Sequence, residues 1–100
     1  MAEIHFEWDN KKDKANQQKH GVAFAMAQYA FADPHRVIAV DISHSRKENR
    51  YYCFGKLAED ILTVRFTYRK GVIRIICAGY WRKGKKIYEK ENKIHRRTLR

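Results

Sequence analysis

A chain of 100 residues that is 44% hydrophobic and 13% aromatic is long enough for one domain with a modest core, which excludes a disordered protein. The net charge of +11 is uneven, because residues 69–100 hold 12 Lys and Arg against 2 Asp and Glu, whereas residues 1–68 hold 10 against 9. A basic end of this size predicts a polyanionic partner: nucleic acid, an acidic protein or an anionic membrane surface. The sequence shows no signal peptide and no apolar run of about 18 residues, so we expect a soluble, cytoplasmic protein.

The N-terminal part predicts a strand followed by a polar helix. Residues 4–8 alternate between apolar and polar side chains, as a half-buried strand does. Asp9 suits the N-cap of a helix over residues 9–19, since its carboxylate can accept hydrogen bonds from free N–H groups of the first turn. Gly21 suits the left-handed position that follows such a helix. This helix has almost no apolar side chains, so we expect it on the surface.

The rest of the chain predicts a second helix, a run of strands and a basic final helix. Residues 22–31 are Ala-rich and mostly apolar, which indicates a helix packed on the sheet, and Pro34 ends it. The further predicted elements are strands over residues 36–42, 50–56, 61–69 and 72–79 and an amphipathic helix over residues 80–94, interrupted near Gly84. The order β-α-α-β-β-β-β-α predicts an α+β domain with an antiparallel sheet, two N-terminal helices and a C-terminal helix, the helices lying mainly on one face.

The pair Lys70-Gly71 separates two strand-like runs and predicts a two-residue hairpin loop. In that register Arg69 pairs with Val72 and Phe66 with Ile75. Because side chains alternate across a strand, the register gives the hairpin two faces. The apolar face carries Val64, Phe66, Tyr68, Ile73, Ile75 and Cys77. The other face carries Arg65, Thr67, Arg69, Val72, Arg74 and Ile76.

The cysteines and histidines do not predict a metal site. Cys53 and Cys77 lie within apolar runs, and we expect them to be buried thiols in a reducing cytosol rather than a disulfide. The five histidines lack ligand spacing, and there is no Cys-His cluster. The glycines form no phosphate-cradling loop. We therefore expect neither a metal nor another cofactor.

Short motifs occur along the chain in a particular order. They are FEWD (6–9), Lys12, Asn16, KHGV (19–22), Phe24, FADP (31–34), HS (44–45), Glu48, RYY (50–52), Gly55, LTV (62–64), TYR (67–69), IRII (73–76) and Tyr88. Over about residues 6–88 the chain resembles the BrnT toxin family of bacterial type II toxin–antitoxin systems. We treat residues 1–100 as one such domain with a basic tail at residues 89–100.

The resemblance implies a RelE-like fold and a small, ribosome-independent ribonuclease that inhibits growth without a metal. It also implies a BrnA-like antitoxin with a ribbon-helix-helix domain as the partner, with operator DNA bound only through the toxin–antitoxin complex. The sequence departs from the family at one place. The family follows its IRII-like strand with Ser-Ala-Arg and, shortly after, Glu, whereas this chain has Cys77-Ala78-Gly79 and then Lys85.

Metal-free RNA cleavage requires a base for the 2′-hydroxyl, cations for the phosphorane and an acid for the leaving oxygen. Arginine suits the second task, because its planar guanidinium donates two parallel hydrogen bonds to phosphate. Histidine titrates near neutrality and suits proton transfer. The predicted catalytic residues are Arg50, Arg69, Arg74, His44 and Glu48, and the predicted RNA-binding residues are Arg65, Trp8, Lys19 and Lys83.

Each assignment has an alternative. These are ion pairs of the arginines with Glu48 or Asp41, a solvated His44, a Trp8 in the core, and Lys19 and His20 as cations at a helix C-terminus. Two other functions also fit the sequence. One is a catalytically weakened toxin-fold protein that binds an antitoxin or nucleic acid, and the other is a small basic nucleic-acid-binding module that uses the tail.

Overall fold

The computed structural model describes residues 4–98, and the side chains of residues 4–93. Its elements are β1 (Phe6–Glu7), α1 (Asn10–His20), α2 (Phe24–Ala27), a 3-10 helix (Gln28–Ala32), β2 (Val37–Val40), a 3-10 turn (Ile42–His44), β3 (Arg50–Leu57), β4 (Asp60–Arg69), β5 (Val72–Gly79) and α3 (Arg82–Thr98). This order confirms the predicted α+β domain. The strands form one five-stranded sheet in the order β1-β5-β4-β3-β2.

The sheet is mixed, which corrects the prediction of an antiparallel one. Strands β2 to β5 pair antiparallel, but β1 runs parallel to β5, with Phe6 opposite Ile73. The pattern of alternating side chains identifies a strand, but it carries no information about the direction of the neighbouring strand. In this fold the helices carry the chain from β1 at one edge to β2 at the other.

Helix α1 is held by its ends and by one buried polar side chain. The Oδ1 of Asp9 accepts hydrogen bonds from the backbone N–H groups of Lys11 (2.8 Å) and Lys12 (3.2 Å), and Gly21 has φ = +67°, as predicted. Asn16 is 4% exposed and donates to the carbonyl oxygens of Val22 and Ala78. The bond to Ala78 attaches α1 to β5. It takes the place of apolar packing, because this helix has almost no apolar side chains to bury.

The apolar segment after Gly21 is a shorter helix than predicted. Helix α2 covers only Phe24–Ala27 and continues as a 3-10 helix over Gln28–Ala32. The 3-10 helix lies directly on β3, because Gly55 has no side chain to keep the carbonyl group of Ala30 away. A Cβ at residue 55 would overlap that carbonyl group.

The core lies between these helices and one face of the sheet. It consists of Val22, Phe24, Ala27, Ala30, Phe31, Cys53, Leu62, Val64, Phe66, Ile73, Ile75 and Ala78. The predicted hairpin register is confirmed from the turn as far as Phe66 opposite Ile75. Beyond that pair a β-bulge places Cys77 opposite Arg65, so Cys77 lies on the arginine side and Ala78 takes its place in the core. The assignment of Cys77 to the apolar face was therefore wrong.

Helix α3 packs on the other face of the sheet, so the prediction of helices mainly on one face was also wrong. Thr63 and Phe54 point away from the main core, and both lie against Gly84 of α3. A Cβ on Gly84 would overlap the hydroxyl group of Thr63, so glycine permits this close contact. The helix runs unbroken through Gly84, contrary to the predicted interruption. Of the basic tail, the side chains from residue 94 onward lie outside the described residues.

Asp33 joins three elements at one end of the sheet. Its carboxylate accepts hydrogen bonds from the backbone N–H groups of His35 (2.8 Å) and Lys56 (2.7 Å) and from the hydroxyl group of Tyr88 (2.7 Å). Burial by itself raises the pKa of Asp33, but these donors outweigh it and hold the pKa below its ordinary value of 3.8. Asp33-Pro34 therefore ends the 3-10 helix, and the Asp33 carboxylate links Tyr88 of α3 to the backbone of β3.

The low pKa of Asp33 predicts acid sensitivity. A carboxyl group with a depressed pKa in the folded state stabilises the protein at pH values above 3.8, and this contribution is lost as the pH falls through the folded-state pKa. We expect the Tm of the protein to fall more steeply than that of Asp33→Asn below about pH 4. Thermal melts in a pH series would measure this, with the exposed Asp60→Asn as the control. Equal acid dependence of all three proteins would contradict the assignment.

Candidate functional site

Four arginines lie on the face of the sheet that is opposite the core, and we call this the arginine face: Arg50, Arg65, Arg69 and Arg74. Thr67 of β4 pairs with Arg50 on β3 and with Arg74 on β5, so these two arginines flank it. Their Cα atoms are about 10 Å apart, because neighbouring strands lie about 4.8 Å apart. Thr67 is 1% exposed and donates to the carbonyl oxygen of Asn49 at 2.7 Å, which fixes the loop before β3.

Each of these arginines has a carboxylate partner. The Nη1 of Arg74 lies 2.6 Å from Oε2 of Glu7 across the β1–β5 edge. Glu48 is shared, since its Oε1 lies 3.4 Å from Nη2 of Arg69 and 3.8 Å from Nη2 of Arg50. The ion pairs with Glu48 and Asp41 that the sequence offered as an alternative are thus present. Ion pairs of this length on partly exposed side chains contribute little to stability.

Asp41 anchors the centre of the site. It is 2% exposed, and its Oδ2 lies 3.0 Å from Nε of Arg65 and 2.9 Å from Nδ1 of His44. Ser43 donates to Oδ1 at 3.0 Å. Burial raises the pKa of Asp41, but the bonds from His44 and Ser43 and the charge of Arg65 together bring it below the ordinary value. With its proton on Nδ1, His44 donates a hydrogen bond to the ionised Asp41, and Nε2 of this half-exposed ring is then free to accept one.

The loop between β2 and β3 is folded by Ser45. The hydroxyl group of Ser45 donates to the carbonyl oxygen of Asp41 at 2.6 Å and accepts from the backbone N–H of Arg50 at 3.0 Å. Asp41 and Arg50 are also joined through their backbones at 2.8 Å. This closure brings His44, Glu48 and Arg50 around one cleft of about 260 Å³.

The predicted RNA-binding residues are more dispersed. Trp8 is half-buried with its ring 6.3 Å from that of Phe24, so its packing is that of a residue at the edge of the core. Lys19 is exposed in the last turn of α1, where the next residue, His20, lies 5.0 Å from the ring of Trp81. Lys83 lines a second cavity together with Arg65. The structure therefore joins Lys83 to the arginine face and leaves Trp8 apart from it.

Sequence reasoning missed Asp41 as a site residue and Trp81 altogether. The sequence suggested Asp41 only as a partner for arginines, although an acid two residues before a Ser-His pair is a signal that it could orient the histidine. Trp81 lies two residues after Gly79. A Cβ on Gly79 would lie 2.7 Å from two atoms of the Trp81 ring, so the indole occupies the space that a side chain at residue 79 would enter.

Neither a metal site nor a membrane span is found in the described part of the chain. Among the described side chains, those of residues 4–93, no three of His, Cys, Asp or Glu lie close enough to hold a metal ion together. Among the helices described there, none combines the length and the apolar character that crossing a membrane requires.

Comparison with known proteins identifies the family. A protein-family model described as "Ribonuclease toxin, BrnT, of type II toxin-antitoxin system" matches residues 8–84. No curated protein matches the chain. The matched region covers more than three quarters of the chain and holds His44 with its Asp41 anchor and the arginine face. The chain belongs to the BrnT family of ribonuclease toxins of type II toxin–antitoxin systems.

Proposed function

We propose that this protein is a metal-independent, ribosome-independent endoribonuclease toxin whose active site is the arginine face with His44. The observation that carries this proposal is the buried Asp41 carboxylate, which holds both the His44 ring and the Arg65 guanidinium. Metal-free RNA cleavage requires proton transfer and stabilisation of the phosphorane. The oriented histidine suits the first requirement, and the neighbouring arginines suit the second.

In this mechanism Nε2 of His44 accepts the proton of the ribose 2′-hydroxyl group. The 2′-oxygen attacks the adjacent phosphorus, the bond to the 5′-oxygen breaks, and the products are a 2′,3′-cyclic phosphate and a 5′-hydroxyl end that takes its proton from water. Arg50 and Arg74 flank the phosphate and stabilise the charge that develops on it. Glu48 leaves Arg50 and Arg69 when phosphate binds, and it keeps the arginines extended in the free protein.

An assay with purified, antitoxin-free protein in the presence of EDTA tests the function. We expect cleavage of RNA, lost in His44→Ala and reduced about 100-fold in Asp41→Asn, since an amide cannot hold the histidine tautomer as the carboxylate does. Glu59→Gln is a suitable control, because Glu59 is an exposed residue in the turn between β3 and β4. If the wild type cleaves RNA under no metal-free condition, the assignment as an enzyme is wrong.

We further propose a BrnA-like ribbon-helix-helix antitoxin as the partner, with operator DNA bound only through the complex. The basic excess of residues 69–100 supports an acidic antitoxin segment that lies across the arginine face and excludes RNA. Adding the antitoxin should stop RNA cleavage, and the complex should bind operator DNA while the toxin alone does not. Cleavage that continues in the saturated complex would contradict this arrangement.

A second function, antitoxin or nucleic-acid binding by a weakened toxin, is favoured by Gly79 and Trp81. The family's arginine is missing, and the indole of Trp81 occupies its path. Gly79→Arg alone should therefore lower the Tm and leave cleavage unchanged. Combined with Trp81→Ala, it should raise cleavage about tenfold or more if the natural chain is a weakened enzyme. The matched control is the double variant Gly79→Ala with Trp81→Ala. If Gly79→Arg with Trp81→Ala cleaves RNA no faster than the wild type, a binding role is favoured.

A further inference from the structure

A cavity of about 480 Å³ lies between α3 and the sheet, beside the arginine face. Its size falls within the range of about 300–1,000 Å³ that small-molecule sites occupy. The residues that line it include the aromatic Tyr52, Phe54 and Trp81 and also Cys77. The two charged side chains at the cavity are Arg65 and Lys83. Aromatic walls and two hydrogen-bond-donating cations suit a nucleobase, which has flat apolar faces and polar edges.

The walls suit a flat aromatic ligand. The rings of Tyr52 and Phe54 are stacked, with centroids 5.7 Å apart and planes inclined by 25°. Trp81, directly before α3, is 38% exposed, so part of its indole ring is accessible to a ligand. Stacking on aromatic side chains is the usual way in which proteins hold unpaired RNA bases, and it contributes to binding of any base.

The two charged groups at the cavity discriminate between bases, whereas the hydroxyl groups of Tyr52 and Thr63 can both donate and accept. The guanidinium of Arg65 and the ammonium of Lys83 only donate hydrogen bonds. Arg65 is ion-paired with Asp41, whose Oδ2 lies 3.0 Å from Nε, and its guanidinium lies over the ring of Tyr52, with Nη2 3.4 Å from the hydroxyl group, so these contacts restrict its position. An edge with two adjacent acceptors fits such donors best, and guanine offers one in N7 and O6. The exocyclic amino group of adenine would meet a donor instead.

The cavity is placed correctly for a base next to the scissile phosphate. Arg65 and Thr67 are two residues apart on β4 and point to the same face, so they are about 7 Å apart. Thr67 marks the middle of the row formed by Arg50 and Arg74. A nucleotide with its phosphate on that row therefore reaches the cavity with its base.

We propose that this cavity binds one nucleobase of the RNA substrate and gives the toxin a preference for guanosine at the cleavage site. This assignment rests on the ribonuclease function proposed above, and it adds the specificity of the same site. Arg65 and Lys83 select the base, while Tyr52, Phe54 and Trp81 hold it.

Cys77 offers a readout that does not depend on cleavage. Burial raises the pKa of both thiols, to about 12 for the fully buried Cys53, whereas Cys77 remains partly accessible. Iodoacetamide should therefore alkylate Cys77 selectively, as peptide mass spectrometry would show. Guanosine 3′-monophosphate should slow this alkylation at about tenfold lower concentration than adenosine 3′-monophosphate, the size of one bidentate base contact. Inorganic phosphate, which lacks a base, should give no protection.

Cleavage patterns provide the second test. The wild type and the control Glu59→Gln should cut a random RNA pool next to guanosine, whereas Cys77→Phe, which fills the cavity, should cut with about tenfold less preference. Thermal melting would show that each variant is folded.

Cutting without base preference, or equal protection by both nucleotides, overturns the proposal. Protection of Cys77 by the antitoxin but by neither nucleotide also overturns it, and assigns the cavity to the antitoxin. A chain that binds the guanine nucleotide but does not cut RNA retains the base site and loses the ribonuclease function.

Discussion

Replacing Arg74 with alanine should reduce RNA cleavage about 100- to 1,000-fold, as happens when a donor to a developing oxyanion is removed. Arg74 lies opposite Thr67 and completes the row with Arg50, so its loss leaves the phosphate with cations on one side only. Its partner Glu7 is 41% exposed and becomes hydrated when Arg74 is absent, so the fold should survive. Initial rates on a defined RNA would measure the effect, and loss of growth arrest would report it in cells.

Lys56→Ala is the matched control for Arg74→Ala. Lys56 is an exposed cation on β3, and its position opposite Ile61 places it at the far end of the sheet from the row. This variant should retain cleavage within about twofold while removing the same charge, because exposed charges at that distance are largely screened by salt. Equal losses in the two variants would mean that net charge, rather than the position of Arg74, supports activity. A large drop in the Tm of Arg74→Ala would instead assign Arg74 a structural role.

Replacing Phe66 with alanine should lower the free energy of unfolding by about 3–5 kcal/mol, the usual cost of emptying a buried aromatic position. Phe66 is 0% exposed and lies at the centre of a ring cluster, with centroids 5.0 Å from Phe31, 5.6 Å from Tyr51 and 5.3 Å from Tyr68. A loss of this size is comparable to the whole stability of a small domain. Urea denaturation would measure it.

Thr67→Ala is the neighbouring control, one residue along β4 on the opposite face. Its position away from the core predicted a small cost, but Thr67 is buried and bonds to the carbonyl oxygen of Asn49. Removing that hydrogen bond should cost about 0.5–1.5 kcal/mol. Thr67→Ala should therefore remain clearly more stable than Phe66→Ala. If the two variants were equally destabilised, Phe66 would not be the centre of the core.

The candidate site was only partly predictable. The hairpin register grouped Arg65, Arg69 and Arg74 on one face, because two-residue loops and alternation are local rules that the chain obeys near Lys70-Gly71. The partners of these arginines required the tertiary structure. Glu7 reaches Arg74 only because β1 adds parallel to β5 at the edge of the sheet.

Local signals determined most of the elements of this protein. The Asp9 cap, the left-handed Gly21, the hairpin turn and the order of strands and helices follow from short-range hydrogen bonding and from periodicity, which act within a few residues. The family motifs, spread over most of the chain, identified the class of toxin.

Only the tertiary structure decided where these elements meet. A bulge after Phe66 moved Cys77 to the arginine face, and Gly84 allowed α3 to lie on that same face, so that a cavity forms beside Arg65. Burial of Asp41 between His44 and Arg65 likewise depends on the loop closed by Ser45. Such contacts join residues of different elements, and they are set by packing and by close approach of backbones. The alternation of apolar and polar residues predicts which side chains are buried, but it does not predict which helix or strand packs against them.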